Sequence, residues 1–153
     1  MEQRYWLMKS EPDVFSIDDL VRLRTAPWEG IRNYQVRNLL RDQFQIGDLA
    51  FFYHSSCKEP AIVGIMQIIS APYPDYSALE SNNPYYDQKC TIDKLPWLQV
   101  DVQLVEKFPV PITLATLRQH CDSLEHLPLL KRGNRLSITP VTPQQWHTIL
   151  GLG

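Results

Sequence analysis

LAFFYHSSCKEPAIVGIMQIIS, residues 49–70, holds two apolar runs around a short polar link. The turn pair Gly47-Asp48 leads into Leu49 to His54, whose length and aromatic content specify a strand. Ala61 to Ser70 is β-branched and almost continuously apolar, the pattern of a strand buried on both faces. The link from Ser55 to Pro60 is short, so the two strands are predicted to pair antiparallel.

Working outward from that pair, RYWLMK from Arg4 to Lys9 reads as another buried strand, stopping at Ser10-Glu11-Pro12. Ser16 with Asp19 three residues on forms a capping box, and Ile17, Leu20, Val21 and Leu23 give the apolar face of a helix expected over residues 17–24. Beyond Pro27, Asn33 is placed to cap a second helix with Val36, Leu39 and Leu40 inward and Arg37 and Arg41 outward. Residues 71–96 are rich in proline, asparagine and tyrosine and show neither periodicity. A long excursion over the surface is predicted there, a kind of segment that is usually functional. Trp97 to Phe108 alternates, with Val100, Val102 and Leu104 on one side and Asp101 and Gln103 on the other, which predicts a long strand. Thr113 caps a short helix, Leu136 to Ile138 gives a short strand, and Thr142-Pro143-Gln144-Gln145 opens a last helix. That helix turns Trp146, Ile149 and Leu150 inward and stops at Gly151. About five strands, several short helices and one long loop predict an α+β domain around a small curled sheet or barrel.

The 153 residues suit one domain spanning 1–153, and 44% hydrophobic with 21% charged residues excludes a disordered chain. No apolar run nears the roughly 20 residues of a membrane span. Glu2, Gln3 and Arg4 do not begin a secretory signal, so the expected location is the cytoplasm, or the nucleus in a eukaryotic cell. Cys57, Cys90 and Cys121 are far apart, which fits a reducing compartment, and neither they nor the histidines show the close spacing of a metal site. A formal net charge of -2 argues against strong non-specific nucleic-acid binding. Cations nevertheless cluster twice, as Arg32, Arg37 and Arg41 and as Lys131, Arg132 and Arg135, each run free of acids. The phosphate-cradle loops, the dinucleotide fingerprint and the nucleophile elbow are absent.

Five strings then carry a resemblance: YWLMKSEPDVFSIDDL from Tyr5, WEGIRNYQVRN from Trp28, GDLAFFYHSSC from Gly47, PWLQVDV from Pro96 and RLSITPVTPQQW from Arg135. In this order, and across nearly the whole chain, they resemble the EVE domain, which is similar in turn to YTH domains. The resemblance implies a PUA-like fold, a curled mixed sheet or pseudo-barrel with peripheral short helices and a pocket. It also implies recognition of a modified base, such as modified cytosine in DNA, and no chemical step.

A base held out of its stack needs flat apolar faces on either side and a few polar groups at its Watson–Crick edge. Trp28, following Pro27 in a predicted loop, is the leading stacking candidate, with Tyr34, Tyr53, Tyr85, Tyr86 and Trp97 as further flat side chains. Lys9, Ser10, Glu11, Asn33, His54 and Ser55 stand where strands and helices begin or end and are the polar candidates. Arg32 at a helix N-terminus and Arg132 beside the turn Gly133-Asn134 are candidate phosphate contacts. Each has a plainer reading. Trp28 and Trp97 can pack in the core, Tyr85 and Tyr86 can pin the long loop, Ser10 can satisfy a turn and His54 can be structural. Asn33 can be a cap alone, and Arg32 can pair with Glu29. Trp6 and Trp146 lie in apolar periodic segments and are core residues.

The expected function is therefore a binding module with no catalytic residues, no cofactor and no metal. Its expected partner is modified DNA, with RNA as a further possibility and with partner proteins acting on the bound nucleic acid. The alternative is an enzyme acting on a nucleotide or nucleobase, with Glu11, His54 or Asp87 as acid or base and Ser55 or Cys57 as nucleophile. Against it, no such group sits in a recognisable motif, and the H-x-E with P-C-x-x-C pattern of zinc deaminases is missing.

Overall fold

Alternation along the central strands builds two cores, one on each side of a sheet. Strand β1 (Tyr5–Ser10) sends Trp6 and Met8 to one side and Leu7 to the other. The third strand, β3 (Leu49–His54), does the same with Ala50 and Phe52 against Phe51 and Tyr53. Both faces are therefore apolar, and each is covered by two helices. On the first lie α1 (Ile17–Leu23) and α2 (Tyr34–Asp42), and on the second α3 (Leu114–Gln119) and α4 (Pro143–Leu150). The computed structural model describes residues 3–152; Met1, Glu2 and Gly153, the ends of the predicted 1–153 domain, lie outside the described residues.

The remaining strands are β2 (Thr25–Trp28), β4 (Ala61–Ile68), β5 (Tyr73–Pro74), β6 (Leu98–Thr113) and β7 (Ile138–Val141). The sheet runs β2-β6-β4-β3-β1-β7, with β5 added to β6. Only β1 and β3 are parallel, because α1, β2 and α2 intervene as a crossover; the predicted β3–β4 pair is antiparallel. The sheet ends at β2 and β7, so it is a mixed open sheet and the closed alternative is set aside.

Seven strands replace the expected five because β2 and β5 are too short to carry a period. Pro27 marks a loop in sequence, yet β2 is an edge strand, where a missing N–H costs no ladder bond. Strand β6 runs past Pro109 and Pro111 for the same reason. Its ladder with β4 jumps from Lys107 opposite Gly64 to Ile112 opposite Ile62, so both prolines sit in the bulge between. Gly64 lets the backbones approach there, since a Cβ would collide with the Glu106 carbonyl oxygen. Strand β7 begins two residues later than the predicted start at Leu136.

The helix starts follow the sequence. Ser16–Asp19 and Thr142–Gln145 are closed capping boxes, and Asn33 and Thr113 accept from Val36 N and Thr116 N. Such caps contribute about 1 kcal/mol each. Leu23 and Leu150, expected inward, are exposed at the ends of α1 and α4, and Arg37, expected outward, folds over Tyr34 and donates to the Pro96 carbonyl. Trp146 stacks between Tyr5 and Phe51 in the second core, whereas Trp6 stacks on Phe44 in the first. The Trp6 Nε1–H donates 2.9 Å to the Asp48 carboxylate, which the Gln45 amide also satisfies, so the buried charge is not left bare. Residues 71–96 run over the surface for most of their length, as predicted, but the segment is anchored near its start, where Asp75, Ser77 and Ala78 are buried.

Candidate functional site

A cavity of about 190 Å³ opens where β1 ends. That is smaller than the roughly 300–1,000 Å³ of pockets for drug-sized ligands, and it suits a single flat ring. Lys9 and Ser10 line it from β1 and Trp28 from the end of β2, and Val14, Phe15 and Tyr85 come from flanking loops.

The walls are held rigidly. Trp28 is 6% exposed and meets Phe52 and Phe15 edge to face, with centroids 5.3 and 6.2 Å away. The Ser10 hydroxyl donates 2.6 Å to the Phe15 carbonyl and closes the loop that carries Val14 and Phe15. Tyr85 is fixed through an ion pair whose carboxylate is fully buried. The fully buried Asp75 carboxylate accepts from the Gly30 amide at 2.8 Å and from Arg32 Nη1 at 3.0 Å, and its other oxygen accepts from the Ser77 amide and hydroxyl. Arg32 donates onward, from Nε and Nη2 to the Tyr85 carbonyl at 3.1 and 2.6 Å, from Nη1 to the Ile31 carbonyl and from Nη2 to the Ser77 hydroxyl. Its planar fork thus ties both lips of the cavity to one carboxylate. Gly30 completes the joint: at φ 89° a side chain is strained, and a Cβ would lie 2.5 Å from the Tyr85 ring.

Two charged side chains line this cavity, Lys9 and Glu29. Burial lowers the Lys9 amine below its usual value. Burial raises the Glu29 carboxyl, helped by repulsion from Asp75 and Glu80 and opposed by Arg32. The Tyr85 hydroxyl is also raised, first by burial and then by Glu29 and Glu11. Past the mouth lies a second groove of about 430 Å³. Lys9, Val14, Tyr85 and Ser137 border both spaces, and Glu11, Ser55, Ser56 and Arg135 extend the groove. Among the described residues, no cluster of histidine, cysteine and carboxylate is arranged to hold a metal, and no helix is long and apolar enough to cross a membrane.

The sequence matches the EVE domain family over residues 4–152. This chain belongs to the EVE family. The EVE domain is 42% identical to human thymocyte nuclear protein 1, over 97% of this chain and 73% of that protein. A Pseudomonas putida protein of known structure is 53% identical, superposes with a TM-score of 0.92 and is covered over 97% of this chain and 98% of its own. The human THYN1 protein, solved in complex with DNA containing 5-methylcytosine, is 42% identical with a TM-score of 0.92, over 98% of this chain and 97% of its own.

Within the EVE domain, the cavity gathers Lys9, Ser10, Trp28 and Tyr85 from the residues expected at the site, and the groove adds Glu11 and Ser55. Others lie elsewhere. Tyr53 is buried in the second core, because the pleat turns it away from Phe52. Burial of its ring pushes its hydroxyl up to about 12. The His54 Nε2 accepts from the Ile17 amide at 3.0 Å and serves α1. Asn33 is the cap of α2, and the five N–H bonds of Arg32 all serve the lips, not a phosphate, nor does it pair with Glu29. Tyr34 packs tilted against Trp97, and Tyr86 and Trp97 border another shallow groove, which Tyr85 and Arg32 border as well. Trp97 is 5% exposed, its indole N–H held by Asp87. Arg132 is exposed and borders neither space, whereas Arg135 of the same run borders the groove. Besides Pro27 and Ile31, sequence reading missed Val14, Phe15, Glu29, Gly30 and Ser137 at the cavity. The strings SEPDVF and WEGI hold most of these, but nothing local in them says that the two loops meet.

Proposed function

We propose that this EVE domain is a non-enzymatic reader that holds a modified base, a 5-substituted cytosine of DNA, in the cavity beside Trp28 and Tyr85. One observation carries the reading: a cavity of single-ring size, walled by fixed aromatic side chains, in a domain superposable on a protein solved with DNA containing 5-methylcytosine. Aromatic faces accept the flat ring, and the polar lining addresses its edge. The groove with Lys9, Ser55 and Arg135 gives the attached backbone a path out. A flipped base costs a few kcal/mol of unstacking, which stacking in the cavity must return.

The test is a fluorescence titration with oligonucleotides of one sequence holding 5-methylcytosine, 5-hydroxymethylcytosine, cytosine or no base at one position, with an RNA version as competitor. DNA with 5-substituted cytosine is expected to bind most tightly and to be recovered with its mass unchanged. Equal affinity for the abasic strand removes the base from the reading, tighter binding of the RNA moves the partner to RNA, and a shifted product mass moves the protein to the enzyme class.

A further inference from the structure

Glu29 borders the cavity, and among the described residues its carboxylate forms no hydrogen bond and no ion pair, although Arg32 is two positions away from the adjacent glycine. Every donor of that arginine is committed to Asp75, Ser77, Ile31 and Tyr85. A bare carboxylate beside a polyanion is repelled by phosphate, so its presence at the rim weakens general affinity for DNA. What it offers in return is chemistry that a hydroxyl does not match: an acceptor that cannot donate while ionised. Lys9, which borders the same cavity, is the complement, a donor that cannot accept.

A cytosine edge presents an exocyclic amino donor at position 4 and a carbonyl acceptor at position 2. Thymine carries oxygen at position 4, and it has the same 5-methyl group as 5-methylcytosine. We infer that Glu29 is the specificity-determining residue of the cavity: its carboxylate accepts from the 4-amino group of cytosine, while Lys9 serves the acceptor side, so that the pocket takes 5-methylcytosine and rejects thymine. This rests on the base-reading function proposed above. Carboxylates pair with the cytosine amino group for the same reason at base edges in a duplex groove. Glu29 and Tyr85 border the same cavity, and the adjacent Gly30 packs against the Tyr85 ring. Burial and the neighbouring Asp75 and Glu80 raise the affinity of Glu29 for a proton, and a donated hydrogen bond from a bound amino group favours the ionised acceptor again.

The experiment compares single-stranded oligonucleotides that differ only in 5-methylcytosine or thymine at one position, so that no base pair has to be broken for either. The wild-type protein is expected to prefer 5-methylcytosine by at least about fivefold. Glu29→Gln, whose amide both donates and accepts, is expected to bring that ratio toward one by weakening 5-methylcytosine and strengthening thymine, with an unchanged melting temperature. Glu29→Ala is expected to weaken 5-methylcytosine without the gain for thymine. A wild-type preference that survives intact in Glu29→Gln overturns the assignment to Glu29 and leaves the reader function standing. If the wild type binds neither strand above its abasic control, the reader function falls, and this inference with it.

Discussion

Trp28 shows how one side chain can serve the core and the site together. Sequence offers two exclusive readings, a loop indole free to stack or a packed one, and the structure joins them: the ring is 6% exposed, wedged against Phe15 and Phe52, and borders the cavity. Trp28→Ala is therefore expected to lose about 3–5 kcal/mol of stability, the cost of a large aromatic truncation in a core. In the fraction that stays folded, affinity for a 5-methylcytosine oligonucleotide is expected to fall by a further 1–3 kcal/mol or so, the usual worth of one base–aromatic stack. Calorimetric melting together with titration well below the melting temperature separates the two losses. A stability loss with unchanged affinity of the folded fraction removes Trp28 from the ligand.

The cavity depends on α1 through the loop that enters this helix. Seven residues are too few for a helix to persist alone, so tertiary contacts must hold it. Ile17 and Leu20 bury its inner face, the Ser16–Asp19 box closes its start, and His54 at the end of β3 accepts from the Ile17 amide. The loop that enters α1 carries Val14 and Phe15 into the cavity, so a frayed α1 loosens a wall. His54 accepts only while Nε2 lacks a proton, and burial lowers its affinity for one below the ordinary 6.5, with Asp18 raising it and Lys107 lowering it to a lesser degree. For a group whose folded value is depressed, the stability it contributes is present above the ordinary value and is lost as pH falls through the lowered one. The melting temperature of the wild type is thus expected to drop between about pH 7 and pH 5 more steeply than that of His54→Gln, whose side chain can accept but does not titrate. The difference between the two proteins is the readout, since the carboxylates and the other histidines are common to both. Parallel pH profiles would falsify the anchor role of His54.

At the scale of the whole molecule, charge limits how the protein meets a polyanion. The net charge is -2, Arg32 is internally committed, and the groove beyond the cavity holds Lys9 and Arg135 with Lys131 and Arg132 on the approach to it in sequence. Binding to unmodified duplex is expected to be weak, with about two to four phosphates neutralised and a correspondingly shallow fall of log affinity with log salt. Titrations from low to physiological ionic strength measure that slope directly. A slope near ten, by contrast, requires a basic face that this surface does not carry.

What the amino-acid order determined alone was much of what depends on neighbours a few residues apart. Strands β1, β3 and β4, the four helix caps and the fact that Trp6 and Trp146 are core residues follow from period, pleat and side chains that reach their own backbone. Tertiary structure alone decided which candidates meet. Tyr53 and His54 are adjacent in sequence, but the pleat sends one into the second core and gives the other to α1. Arg32 and Asp75 are 43 residues apart, and the pairing that turns a predicted phosphate contact into the clamp on Tyr85 exists only once the start of the long segment is anchored. Local periodicity records whether a side chain faces in or out; it holds no information on which distant carboxylate waits there, because that is set by strand register and loop closure across the whole chain.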